Sequence, residues 1–320
     1  MSLFKITVIG ALLSIYTLSA NAQPDREMYF SVGISTGTLN YKGDLDDNLT
    51  IKFTKPGFGL SLDWHFVKHM SLSFNAFYGW MGADDKRNTD RSRFYRNLHF
   101  YSYLTEVSMD ITYQILASHK GGAKHRSHWS PFIFAGGGIF NYNPTAKPEA
   151  IWVQRFPNLF TGVDEDVDLQ PLGTEGQNLS GIYPDSGFSE PYKLTQVCIP
   201  FGIGFRRKLG PRWDIQFELG MRKTFTDYLD DVSGVDRISQ NSERGTYADP
   251  LLLAQTGTKS ALFSDRSGYT NFGENLTTEG VNGFKFQDNR GFKDQNDWYV
   301  YTNVTFSYVL IGGERCPKFK

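Results

Sequence analysis

The chain has 320 residues, 33 of them basic and 34 acidic, for a formal net charge of −1, and 15% are aromatic. A chain with no basic surplus is not built for nucleic acid, whose phosphates call for a basic face, and two cysteines, Cys198 and Cys316, do not make a disulfide framework. Beyond the N-terminus no stretch is apolar over the roughly 20 residues that a spanning helix needs, so a membrane reading has to rest on strands.

The first 22 residues read as a secretory signal: a short basic start through Lys5, an apolar run from Ile6 to Tyr16 and an A-x-A site at Ala20-Asn21-Ala22. The mature chain is then expected to begin at Gln23. Losing Lys5 takes its formal charge from −1 to −2.

Eight stretches follow in which apolar residues alternate with small or polar ones, the period-two signature of a strand with one greasy face. The first is about Tyr29 to Thr36, with Phe30, Val32 and Ile34 on one face. The second, Gly57 to Phe66, sets Phe58, Leu60, Leu62, Trp64 and Phe66 against Gly59, Ser61, Asp63 and His65. The third, from about Ser71 to Trp80, repeats the pattern with Phe77 as an exception on the polar face. The fourth, about Phe100 to Leu116, sets Val107, Met109, Ile111 and Tyr113 against Glu106, Ser108, Asp110, Thr112 and Gln114. The fifth, Pro131 to Asn141, is the least regular, and its Gly136-Gly137-Gly138 run suggests a bend, a bulge or close packing. The sixth is Leu194 to Lys208, the seventh Trp213 to Lys223 and the eighth Trp298 to Leu310.

The connections alternate in length. Short links follow strands two and six (Val67 to Met70, and Lys208 to Pro211), and a medium basic link, Ala117 to Ser130, follows strand four. The other four connections, near 37–56, 81–99, 142–193 and 225–297, are longer. Short periplasmic turns and long external loops are how an outer-membrane barrel sorts its connections. Only helices or closed barrels satisfy every backbone group in a bilayer. The expectation is therefore an all-β, eight-stranded antiparallel up-and-down transmembrane barrel over 23–311, OmpA-like, embedded in outer-membrane lipid. Its termini would lie in the periplasm, with a tail at 312–320. Tyr29, Trp64, Trp80, Trp213 and Trp298 sit near strand ends, as an interfacial girdle would. Eight strands enclose a lumen that side chains fill, where Asp63, Glu106, Asp110, Glu218 and Arg222 are expected to pair.

Three segments resemble the PorG family: Asp168-Leu169-Gln170-Pro171-Leu172-Gly173-Thr174-Glu175-Gly176-Gln177, Ile199 to Phe205, and Arg222-Lys223-Thr224-Phe225-Thr226-Asp227-Tyr228-Leu229-Asp230-Asp231-Val232-Ser233. The opening Gly33 to Asp44 is similar to that family's first strand and loop. PorG is the outer-membrane component of the Bacteroidetes type IX secretion system, tied to gliding motility. The resemblance implies a barrel that anchors a periplasmic ring of a PorK-like lipoprotein and a PorN-like protein. Compatible with this, Lys120, Lys124, His125 and Arg126 in the medium link and Arg315, Lys318 and Lys320 in the tail form a basic rim on one side. Such a rim suits an acidic partner or, equally, solvent and inner-leaflet charge.

The acidic groups Asp44, Asp46, Asp47 and Asp227, Asp230, Asp231 fall in the long loops. Asp44-x-Asp46-x-Asn48 begins like a calcium loop, but its Gly and distant Glu are missing, so loop capping is the preferred reading and no metal or cofactor is expected. Arg222 and Lys223 beside these carboxylates are expected to fasten the loops at the rim, with Asp168 and Glu175 in the same assembly. Of six histidines only His99 lies near the loop end, and no nucleophile motif accompanies it; enzymatic activity is not expected.

Overall fold

The computed structural model describes residues 28–46, 49–88, 91–116, 122–181, 189–233, 257–264, 266, 291 and 296–310. The expected signal at 1–22 and the tail at 312–320, with Cys316, lie outside them, as do Lys120, Arg315 and Lys318.

Nine strands form: β1 (Tyr29–Lys42), β2 (Lys55–His65), β3 (Met70–Asp84), β4 (His99–Gln114), β5 (Trp129–Ala146), β6 (Val167–Asp168), β7 (Thr195–Lys208), β8 (Trp213–Thr224) and β9 (Trp298–Leu310). Every pairing is antiparallel. β1 pairs with β2 and with β9, and β4 pairs with β5, so eight strands close on themselves, while the two-residue β6 only adds to the edge of β5. Among the described residues three short α-helices stand in the long connections: α1 (Arg91–Arg96), α2 (Ala150–Arg155) and α3 (Thr258–Ser264). No helix among the described residues is long and apolar enough to cross a membrane.

The alternation decides which way each side chain points. Ile34, Leu60, Val107, Ile139, Val197, Ile203 and Phe217 stand exposed on the outside, while Ser31, Asp63, Ser108, Asp110 and Asn303 are buried within. A closed sheet that is greasy outside and polar inside is the inverse of a soluble barrel. In water it would leave dozens of apolar side chains exposed, and hydrocarbon covers them.

Most strands are longer than the nine to eleven residues or so that a bilayer requires. They outrun the expected boundaries at the loop end: β1 continues to Lys42, β3 to Asp84 and β5 to Ala146. The reason is an inverted pattern. Above the apolar band the inward positions are large and apolar (Leu39, Tyr41, Met81, Ala83, Tyr142), all buried in one core with Phe100, Leu104 and Phe140. The barrel therefore has two interiors, polar through the membrane and apolar beneath the loops.

The glycine run in β5 is not a bulge, although Gly136 and Gly137 themselves have no partner in the β7 ladder. Ala135 opposes Phe201 and Gly138 opposes Cys198, so the register is unchanged across it. Close packing is the cause: a Cβ on Gly136 would fall 2.1 Å from the Met109 carbonyl oxygen and 2.2 Å from Asp110 Oδ1, whereas one on Gly137 would meet nothing within 4 Å. Gly136→Ala is expected to cost about 1–3 kcal/mol through forced backbone movement, and Gly137→Ala less than about 0.5 kcal/mol. Urea unfolding of the barrel in lipid vesicles measures both, and equal losses would contradict the packing argument.

Candidate functional site

Three regions carry polar chemistry: the lumen, the rim at the turn end and the loops above.

In the lumen, Arg222 of β8 reaches Glu106 of β4 at 3.5 Å and Glu218 at 3.9 Å. Its guanidinium also lies 5.5 Å from the ring centres of both Phe77 and Tyr301, which stack on each other at 4.5 Å. Tyr299 donates to Glu106 at 2.6 Å, and Asn75 donates to Asp110 at 2.8 Å. Phe77, the exception to alternation, is therefore the floor of a cation site. The lumen at this level is packed across. Arg222 does not fasten loops at the rim, as its sequence neighbours suggested: its even position in β8 turns it inward with Glu218, one turn of the pleat below the loops. Lys223 faces the other way, 5.7 Å from the ring of Trp298 on the outside.

The turn end is locked by Arg126. It is buried, donates to both oxygens of Asp214 at 2.9–3.0 Å, and gives its other hydrogens to the carbonyls of Ala123, Gly210 and Pro211. Such a guanidinium is not available to a partner, which corrects its placement in the basic rim. Asp214, an inward carboxylate whose neighbour Arg212 turns away to Tyr308, takes its arginine from the link that begins at Ala117. Lys124 and His125 stand exposed beside it. Arg206 closes the same end with Gln114 at 2.8 Å. Tyr29 is part of this plug rather than of an outer girdle, because it stacks on the lumenal His65 at 4.1 Å. Trp64, Trp80, Trp213 and Trp298 do face outward.

The loops above are joined into one bonded cap, and two of the quoted segments meet in it. Asp231 accepts from Thr174 at 2.5 Å and from Tyr192 at 2.7 Å. Glu175 accepts from the amide and hydroxyl of Ser233 at 3.1 and 2.8 Å. Gln170 donates to the Tyr192 carbonyl at 3.1 Å, Tyr192 stacks on Tyr228 at 4.7 Å, and Asp168 accepts from Asn143 at 2.7 Å. Helix α3 ties in through Ser260 to the Leu172 carbonyl and Ser264 to the Thr174 carbonyl. Beside them Arg266 binds Glu149 at 2.7 Å and lies over Trp152 and Phe263. Arg96 grips Asp85 with two bonds of 2.7 and 2.8 Å.

The floor of the cap is acidic. Tyr41 Oη is 2.6 Å from Asp230 Oδ2 and 3.1 Å from Asp297 Oδ1. Asp297 also accepts from the Leu229 amide and Asp230 from the Val232 amide. Burial pushes both carboxyls well above the usual range, with the charge of Asp44 adding to Asp230 and that of Asp230 adding to Asp297. Asp227 is a further charge facing Asp297. Asp46 caps its own turn, accepting from the Thr50 amide and hydroxyl at 2.7 and 2.8 Å. Among the described residues no three His, Cys, Asp or Glu side chains are arranged to hold a metal ion. The His99 ring accepts the Lys147 amide at 3.1 Å.

Asp231 adopts the left-handed conformation, φ 66°, which asparagine tolerates and alanine does not. Asp231→Ala is expected to remove the acceptor of the Thr174 and Tyr192 hydroxyls and to weaken the cap by about 2–4 kcal/mol, with Asp231→Asn keeping at least half of that. Limited proteolysis of the loops on the folded barrel checks this, and identical cleavage of the two variants would sink it.

No protein-family model matches the chain, and no curated protein matches it. Solved structures similar to it include Ail, the attachment invasion locus protein of Yersinia pestis, at 8% identity and a TM-score of 0.37 over 89% of this chain and 99% of that one. Neisserial surface protein A follows at 7% and 0.38 (87% and 96%), and OprG of Pseudomonas aeruginosa at 11% and 0.34 (90% and 97%). At such identities and scores they assign no role. The class rests on the geometry: closed antiparallel pairing, an apolar outer band with aromatic side chains at its edges and a filled polar lumen. This is an outer-membrane β-barrel of the small, eight-stranded kind.

Proposed function

We propose that the chain is a non-enzymatic, PorG-like outer-membrane component of the type IX protein secretion and gliding machinery, anchoring or positioning a periplasmic ring of PorK-like and PorN-like proteins. The observation that carries it is the cap. Two segments on which the family resemblance stands, 168–177 and 222–233, are far apart in sequence and bond to each other through Asp231, Thr174, Glu175 and Ser233. That two of the three resembling segments build one another's surroundings supports reading the resemblance as one of architecture. A packed lumen supports an anchoring role over a diffusion pore.

A second reading is an OmpA-like small barrel that stabilises the envelope or binds an external ligand. The ordered cap favours it, since a preformed loop surface is what an external binder presents. The two separate by where contacts fall. An affinity tag after Lys320, in the native host, followed by identification of proteins co-purifying from solubilised outer membrane, tests the first reading. Recovery of PorK-like and PorN-like proteins supports it, and loss on making Lys120 and Lys124 acidic puts docking on that link. Recovery of the barrel alone, after crosslinking as well, overturns the first reading in favour of the second.

A further inference from the structure

We propose that the outer face of the turn end, across β5, β7, β8 and β9, binds the phosphate of an anionic glycerophospholipid from the adjoining leaflet. The inference rests on the barrel class alone and holds whichever machine the barrel serves.

Two arginines stand there on aromatic supports. Arg207 lies 4.5 Å above the centre of Trp129, directly opposite it in the β5–β7 register, and Phe205 packs on the same ring at 4.9 Å. On the other side of the turn, Arg212 donates to Tyr308 at 2.8 Å, while Trp213 packs edge-on against Tyr308 and stacks on Phe306 at 4.7 Å. Lys208, next in the strand after Arg207, takes the parity of Arg206, lies opposite the inward Asp214 and reaches the Lys124 carbonyl at 2.9 Å. Arg207, Trp129, Arg212 and Trp213 are all exposed.

The carboxylates that would neutralise such a cluster are elsewhere. Among the described residues at this end, Asp63 and Asp214 both turn into the lumen, and Asp214 is held by Arg126. Among the described residues the outer rim is thus cationic with no acid beside it, although the protein as a whole is close to neutral. Below it the wall is apolar, with Ile203, Phe217 and Leu219 exposed. A ligand that matches has an anionic head at the aromatic level and acyl chains along the wall. A guanidinium held flat on a ring keeps its edge hydrogens free for phosphate oxygens, and aromatic rings settle at the headgroup level. A protein partner would instead approach the end of the barrel, not the side that hydrocarbon covers.

The test uses the full-length barrel in vesicles containing equal phosphatidylglycerol and phosphatidylcholine, released into detergent and weighed intact with its retained lipid. Wild type is expected to retain phosphatidylglycerol preferentially, less so as salt rises. Arg207→Gln with Arg212→Gln is expected to cut that preference about tenfold. The paired lysine variants keep most of it, and Lys193→Gln at the loop end leaves it unchanged. Equal retention of both lipids by wild type, or a preference indifferent to salt and to the glutamine pair, overturns the proposal. The wild-type salt series decides it even where the double variant fails to fold.

Discussion

Replacing Arg222 by methionine is expected to destabilise the barrel by about 3–5 kcal/mol, the loss typical of removing one partner from a buried ion pair. Methionine restores most of the volume over Phe77 and Tyr301, so the loss isolates charge. Glu106, fully buried, keeps only Tyr299 as a donor, and Glu218 keeps Asn303. Two carboxylates that shared a cation are then left in a low-dielectric lumen. Adding Glu106→Gln to Arg222→Met should recover a sizeable part of the loss, because the harm lies in the orphaned charge more than in the missing attraction. Urea unfolding from vesicles, followed by tryptophan fluorescence, measures both. A loss below about 1 kcal/mol for the single variant would mean that water solvates Glu106 as it solvates a surface pair, and the packed lumen would be wrong.

The same residue shows how far the sequence could be read. Parity along a strand is local, so the alternation placed Glu106, Glu218 and Arg222 on the inner face and the turns on one end. Whether Arg222 serves the lumen or the loops is a question of height, and height depends on strand stagger, which no local pattern records. The apolar inward residues Leu39, Tyr41 and Met81 broke the polar-inside rule and hid the upper third of the strands. They belong to a second core that only the folded loops complete. Arg126 looked like surface because basic residues surround it in sequence, although its partner Asp214 is 88 residues away. The cap was out of reach for the same reason, because Thr174 meets Asp231 across 57 residues.

The acidic floor of the cap should make its closure acid-dependent. Tyr41 has one phenolic proton and faces two carboxylates, so ionising both leaves two buried charges repelling across a single hydroxyl. Burial and mutual repulsion raise Asp230 and Asp297 well above the usual range, while in the unfolded loop each titrates near about pH 3.9. Above that pH the closed cap holds protons that the open one has lost. Its stability is therefore fully present below about pH 4 and declines as pH rises toward the folded values, by about 1.4 kcal/mol per unit for each proton retained. The Leu229 and Val232 amides donate to these two carboxylates and report on the floor directly. Their hydrogen-exchange protection, corrected for intrinsic rates, is expected to fall up to about tenfold per pH unit as pH rises above about 4. The Arg96 charge opposes the shift at Asp230, so removing that charge extends the decline to higher pH. Asp230→Asn removes one of the two carboxyls and gives Tyr41 a neutral acceptor, so protection at Leu229 should then fall less steeply with pH, burial and Asp227 still opposing the ionisation of Asp297. A variant that keeps the wild-type slope would show that the proton resides elsewhere and that the tyrosine bridge does not govern closure.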